Sequence, residues 1–366
     1  MSSTWNNLGL HLSIFGESHG NGIGVVLDGI PGGTPINLDE LNHFMQRRAP
    51  GHSSTSTRRK ESDQPEILSG VLQQDGTPFA VACGTPIAAV IRNTDTHSAD
   101  YEQMSTLARP GHGDYTGHLR YHGCNDPRGG GHFSARLTAP LVFAGGICKQ
   151  LLALKGIRIG AHVLQIGSIQ DTFFDPLSIP EVLFDTIAGK AFPVIDNDAG
   201  KQMITAIEDA RLDQNSLGGI VECAVTGMPA GIGDPIFGGI ENVISSAIFG
   251  IPAVKGVSFG AGFDFAEMTG AQANDPFCMD GDEIKTSTNN AGGILGGITT
   301  GMPVLVKAAF KPTPSISRPQ HTVDFKNRTD AILEIKGRHD PCVVPRAVPC
   351  VEAAVAIAMA SFLIHN

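Results

Sequence analysis

The sequence predicts a mixed α+β fold whose most apolar helices lie in an interior layer. Two stretches, 135–154 (ARLTAPLVFAGGICKQLLAL) and 347–364, are apolar nearly all the way round, so each needs cover on every side. Short apolar or alternating runs at 10–15, 23–27, 78–83, 88–92, 157–169, 219–227 and 304–310 read as strands. Glycine, 45 of 366 residues against a usual share of about 7%, supplies tight turns and close backbone approaches between them.

In chain order, the runs at 10–15 and 23–27 are two strands joined by the turn GESHGNG, expected to expose Glu17, Ser18 and His19. After DGIPGG a helix starts at Asn37 as its N-cap. Asp39 and Glu40 stand in its first turn and Arg47 and Arg48 in its last, each sign where the helix dipole favours it. Leu38, Leu41, Phe44 and Met45 share one face, and Pro50-Gly51 ends the helix. Residues 41–60 hold no acid but include Arg47, Arg48, Arg58, Arg59 and Lys60, in a chain of formal net charge −10. That island reads as a solvated Ser/Thr turn or as a basic lid. A helix at 198–212 turns Met203, Ile204 and Ile207 inward. The strand at 219–227 ends in GMPAG, echoing GIPGG after the strand at 23–27; the echo hints at a two-fold duplication inside one body spanning 1–366. No linker or low-complexity tract divides the chain. The last apolar segment contains Pro349 and Glu352 and is rich in alanine, which favours a buried helix over a membrane span.

The charge balance, with a pI near 5.7, argues against nucleic acid as a partner. Seven scattered cysteines without a C-x-x-C suggest neither a disulfide framework nor a zinc ribbon, and fit a reducing cytoplasm. The N-terminus shows no secretory signal pattern.

Against that acidic background, residues 109–136 (RPGHGDYTGHLRYHGCNDPRGGGHFSAR) stand out. Four arginines and four histidines sit among nine glycines and prolines, so cationic and titratable groups occupy irregular backbone. Gly129, Gly130 and Gly131 permit φ > 0 and offer bare N–H groups to an oxyanion, and Ser134 stands at the mouth of an apolar helix. The pattern reads as an anion pocket, with a basic surface loop as the plainer alternative. KPTPSIS at 311–317 adds an ammonium and three hydroxyls on proline-stiffened backbone. GRHDPCVVPRAVP at 337–349 puts Arg338, His339 and Asp340 before a long helix, although Asp340 could be only its N-cap. NNAGGILGGITTGMP at 289–303 is neither a dinucleotide fingerprint nor a Walker loop. His118 and His122 lie four apart, but no H-E-x-x-H accompanies them, and neither a G-x-S-x-G elbow nor a catalytic cysteine signature occurs. His19 and His112 are the best acid/base candidates, standing beside expected anion sites that would raise their pKa.

The motifs GESHG (16–20), RRAPG (47–51), RPGHGDYT (109–116), RGGG with SAR (128–136), NNAGGILGGI (289–298), KPTPSIS and GRHDPCVVPRAVP together resemble chorismate synthase, in the same order over almost the whole chain. The resemblance implies a lyase of the shikimate pathway of aromatic amino acid biosynthesis. Its reaction is the anti 1,4-elimination of phosphate from 5-enolpyruvylshikimate 3-phosphate to give chorismate, dependent on reduced FMN without net redox change. It also implies a β-α-β sandwich, a central helical layer between two antiparallel sheets with long functional loops, assembled as a cytoplasmic homotetramer. NADPH or an external flavin reductase would reduce the FMN; membrane and nucleic acid are not implied as partners.

Carried over by motif, His19, His112 and Asp340 are the implied catalytic residues: His19 at the reduced flavin ring, His112 as proton donor to the departing phosphate, Asp340 assisting deprotonation. Arg48, Arg109, Arg128 and Arg136 are implied substrate ligands. His132, Phe133, Ser134, Pro252, Ala253, Gly296, Lys311, Pro312, Thr313, Pro314, Ser315 and Arg338 are implied flavin contacts. No metal is implied. A substrate with two carboxylates and a phosphate accounts for the clustered cations. Three departures stand out: His132-Phe133 where the family usually has Arg-Ser, Ser54 where it often has arginine, and Pro252 where many members have asparagine. They leave one rival reading, a flavin- or anion-binding protein without catalysis.

Overall fold

Strand Leu10–Gly16 buries Leu10 and Leu12 and turns His11 to solvent, the period-two pattern of a half-covered sheet. It belongs to a five-stranded antiparallel sheet ordered Thr4–Asn7, Leu10–Gly16, Gly22–Asp28, Ile87–Arg92, Pro65–Ser69. A second five-stranded antiparallel sheet runs Ile169–Gln170, Arg158–Ile166, Gly219–Thr226, Val304–Phe310, Val254–Phe259. The computed structural model describes residues 3–50, 63–73, 76–94, 106–335 and 340–364. Ser54, Arg58, Arg59, Lys60 and Arg338, and with them the basic lid, lie outside the described residues.

The helices are, in order, α1 (Leu38–Arg48), α2 (Asp114–Arg120), α3 (Thr138–Ala153), α4 (Glu181–Ala188), α5 (Asn197–Leu212), α6 (Ile240–Ile248), α7 (Gly270–Ala273) and α8 (Val344–Ser361). Asn37 caps α1 by accepting from the Asp39 and Glu40 N–H groups at 3.0 and 3.2 Å. Helix α3 lies against the first sheet and α8 against the second, and the two pack on each other at the centre. Gly145 permits that approach: a Cβ there would stand 2.3 Å from the Ala353 Cα. One hydrophobic cluster, from Leu10 through Phe143 and Val306 to Ile357, fills the space on both sides of this layer. A smaller cluster of Phe174, Phe184, Ala224 and Leu305 covers the far face of the second sheet beneath α4. With the intervening elements set aside, among them α4 and α5 between Arg158–Ile166 and Gly219–Thr226, both halves run strand, strand, helix, strand, strand, helix, and the four strands take the same spatial order.

Several elements depart from expectation in informative ways. The helix expected over 135–154 begins as a 3₁₀ turn, Ala135–Leu137, capped by Ser134 accepting from the Arg136 N–H at 3.2 Å, before α3 proper. Helix α8 starts three residues earlier than the apolar run, at Val344, so Pro345 sits in its first turn and Pro349 inside it. By length and composition α8 is apolar enough to cross a membrane, but 89% of it is buried inside the protein, as a core helix is. Its Glu352 is buried against Arg47, at 2.6 Å, and Lys149. Burial would raise the Glu352 carboxyl, but the two cations outweigh it and hold it at about 2. Ser18, expected at an exposed turn, is fully buried, because its turn docks on the glycine loop through Ser18 N–H to the Gly131 carbonyl at 3.1 Å.

Candidate active site

Gly129, Gly130 and Gly131 take φ of 60°, 84° and 54°, in the left-handed region where only glycine is at ease. Side chains are excluded here as well: a Cβ on Gly129 would lie 2.3 Å from His19 Cδ2, and one on Gly130 3.1 Å from His112 Nε2. The glycines therefore bring two imidazoles against one stretch of backbone. The Gly130 N–H itself is spent on the Pro127 carbonyl at 3.2 Å rather than left bare for an oxyanion.

His112 is oriented by Asp114, which opens α2. His112 Nδ1 meets both Asp114 Oδ1 at 2.7 Å and Arg109 Nη2 at 3.0 Å; the shorter contact is to a carboxylate that can only accept, which makes Nδ1–H the donor to Asp114 and leaves Nε2 at the glycine loop. The Arg109 guanidinium grips the same carboxylate at 2.7 and 2.8 Å and reaches Ser315 Oγ at 3.2 Å. Burial would raise the Asp114 carboxyl, yet these hydrogen bonds pull it far below the usual range. The His112 imidazole lies below its usual value: burial pushes it down, Arg109 and Lys311 add to that, and Asp114 only partly offsets them. The expected upward shift is thus reversed, because burial, Arg109 and Lys311 outweigh the single carboxylate beside the ring.

Lys311 reaches across to the Gly111 carbonyl and joins the RPGHG and KPTPSIS loops. Its backbone N–H donates at 3.0 Å to the carbonyl of Ala253, a non-glycine residue at φ 75°. On the opposite wall Arg48 and Arg136 both bond Asp63, which is buried and pulled below the usual carboxyl range: burial opposes this, but the two guanidiniums prevail. Arg346 bonds the Arg48 carbonyl at 3.0 Å and Asp340 at 2.6 Å. That ion pair, rather than an N-cap, is the role of Asp340 at α8, whose N-cap is Val343.

These groups share one cavity of about 560 Å³, a size that suits a small-molecule ligand. His19, His112 and Asp340 line it together with Arg48, Arg109, Arg136 and Lys311; Phe249, Ile251, Val254, Phe310 and Val343 supply an apolar wall. Thr313 also lines it, and its Oγ1 is buried without a hydrogen-bond partner among the described residues. An apolar wall beside hydroxyls, an ammonium and guanidiniums suits an apolar ring system carrying a phosphate next to an anionic substrate, so the donor set fits FMN.

Residues 10–364 match the family model for chorismate synthase. The chain belongs to the chorismate synthase family. It is 45% identical to the chorismate synthase of Thermococcus kodakarensis over 357 residues, covering 98% of this chain and 96% of the relative. It is 43% identical to that of Methanocella arvoryzae over 365 residues, covering 99% and 95%. A solved structure described as "Crystal Structure of Chorismate Synthase" aligns with a TM-score of 0.73 at 29% identity, covering 98% of this chain and 92% of that one.

Of the residues implied by the family motifs, the cavity gathers His19, His112, Asp340, Arg48, Arg109, Arg136, His132, Phe133, Ser134, Pro252, Ala253, Lys311, Thr313, Pro314 and Ser315. Arg128, Pro312 and Gly296 do not line it. Arg128 points outward to Asp126 at 2.8 Å, and Pro312 is exposed. Gly296 lies in the exposed turn of a hairpin near the Val304 end of Val304–Phe310, whereas Lys311 follows the other end, roughly 20 Å of strand away. His132 uses both ring nitrogens within the chain: Nδ1–H donates to the Gly16 carbonyl at 2.8 Å and Nε2 meets Ser3 Oγ at 2.6 Å. Sequence reasoning missed Asp63, Asp114 and Arg346. Asp114, two residues after His112 inside RPGHGDYT, was legible as the acid that orients the ring; Asp63 and Arg346 carried no local signal.

Proposed function

We propose that this cavity converts 5-enolpyruvylshikimate 3-phosphate to chorismate by anti 1,4-elimination of phosphate, with reduced FMN as cofactor. The observation that carries the proposal is the meeting of His19, His112 and Asp340 in one cation-lined cavity of a chorismate synthase family chain. Arg48, Arg109, Arg136 and Lys311 hold the carboxylates and phosphates, each charge-assisted contact offsetting the desolvation of a buried anion. His112, turned by Asp114, presents Nε2 as the proton donor to the departing phosphate oxygen; the phosphate's own charge raises the imidazole's proton affinity once it sits beside the ring. His19, against Gly129, would hold the reduced ring of the cofactor. Asp340, anchored by Arg346, accepts the proton the substrate loses. Thr313, Ser315, Pro252 and Ala253 would hold the FMN with Lys311 and the apolar wall. Reduced FMN supplies the electronic assistance that side chains lack, since no carbonyl acidifies the departing hydrogen.

We further propose a cytoplasmic homotetramer whose FMN is reduced by NADPH or by a separate reductase. Anaerobic incubation with substrate and photoreduced FMN tests the central claim: chorismate should form. Flavin binding with no chorismate would instead favour a binding protein, the reading that the tied-back His132 suggests.

A further inference from the structure

The buried acid between the two arginines of the cavity wall has no part in the chemistry above, and its placement calls for one. Asp63 is 1% exposed and does not line the cavity, whereas Arg48 and Arg136 do. Its Oδ2 takes Arg48 Nη1 and its Oδ1 takes Arg136 Nη1, so one carboxylate spans two guanidiniums from behind. Arg136 is fixed further by Nε–H to Asn93 Oδ1 at 3.2 Å, and Asn93 in turn donates to the Glu17 and Gly20 carbonyls at 3.0 and 2.9 Å. That chain ties the arginine pair to the turn that carries His19. Asp63 also holds φ at 50°, a left-handed backbone that side-chain-bearing residues seldom adopt and that surrounding structure must enforce.

Resting on the proposed function, we infer that Asp63 is a positioning residue: its carboxylate clamps Arg48 and Arg136 side by side so that their outer edges form one preset anion seat. Without it, two guanidiniums with side chains 4% and 3% exposed would lose the carboxylate they share, and their mutual repulsion would drive them apart. An incoming carboxylate or phosphate would then have to gather them again, a cost the preset pair avoids. A carboxylate that instead occupied the seat and blocked it would line the cavity; Asp63 stands behind the arginines.

The test uses the whole chain. In the anaerobic turnover assay, Asp63→Ala should raise KM for the substrate at least about tenfold while kcat changes less than about threefold. Formate, a carboxylate small enough for the vacated space, should lower the KM of Asp63→Ala and not that of the unaltered protein. Inorganic phosphate should raise the melting temperature of Asp63→Ala less than that of the unaltered protein, because the released arginines must be gathered before they bind it; an equal or larger rise in the variant overturns the inference. Should Asp63→Ala fail to fold, Asp63→Asn keeps the volume and one acceptor and should show a smaller rise in KM. A KM within about twofold of the unaltered value in the folded variant, or a kcat loss that formate leaves untouched, overturns the inference. The phosphate-dependent melting shift needs no turnover, so an inactive unaltered protein would sink the proposed function and still leave this clamp open to refutation.

Discussion

Two histidines, His162 in the second sheet and His112 at the cavity, show what separates a site from a strut. His162, in strand Arg158–Ile166, is fully buried and lies between Asp171 at 2.9 Å and Glu222 at 3.0 Å, with Phe174 edge-on to its ring. Both ring nitrogens meet carboxylates, which accept only, so the ring is an imidazolium with every donor used. Burial would lower its pKa, but the two acids outweigh burial and raise it. His112 meets a single carboxylate, faces cations and a cavity, and shifts the other way. Charged neighbours and at least partial burial are common to both. The difference is closure: one cluster satisfies itself, and the other leaves a nitrogen and several cations turned toward open space.

If that contrast is right, breaking each histidine should damage a different property. The largest effect is expected from His112→Ala, which should lower turnover by about 10²-fold or more while flavin still binds; turnover near the unaltered rate would remove His112 from the proton-donor role. Next, His162→Leu leaves two buried carboxylates without their shared cation and should cost about 3 kcal/mol of stability in urea unfolding. Its kcat/KM per folded molecule should stay within about twofold.

pH sharpens the comparison. Because the folded-state pKa of His162 is raised above its ordinary 6.5, the stability it contributes is fully present below that value and fades as pH rises through the folded-state pKa. Asp171 is lowered, burial notwithstanding, by its hydrogen bonds, so its share is present above the ordinary 3.8 and fades as pH falls through its folded-state value. The stability gap between the unaltered protein and His162→Leu should therefore be widest between these two ordinary values and shrink above 6.5. A gap that widened with rising pH would refute the imidazolium. The smallest effect concerns His112: the alkaline limb of kcat should lie at higher pH than that of kcat/KM, because bound phosphate restores the proton affinity that burial removes in the free site. Coincident limbs would argue against phosphate contact with the ring.

Local rules were enough for much of this molecule. Asn37, with Asp39 and Glu40 behind it, announced α1, and the all-round apolar faces of 135–154 and 347–364 announced an interior pair of helices. The RPGHGDYT, RGGG and KPTPSIS motifs marked the cavity loops, because glycines, cations and hydroxyls on irregular backbone leave a compositional trace. Ser18, Asp63, Arg346 and the His162 cluster left none. Each of these side chains is defined by a partner distant in sequence or by a turn buried from afar, and spacing along the chain holds no record of such meetings.

By itself, then, the sequence determined the kinds of element, the buried character of the central helices and the chemistry of the loops, since propensity, capping and periodicity act within a few residues. Tertiary structure alone decided that Gly129 and Gly130 would press against two imidazoles, that Arg128 and Gly296 would stay outside the cavity, and that one acid would bind two arginines from behind. The reason is physical: close approach, burial and the sign of a pKa shift depend on which remote groups surround an atom, and only the folded chain sets that neighbourhood.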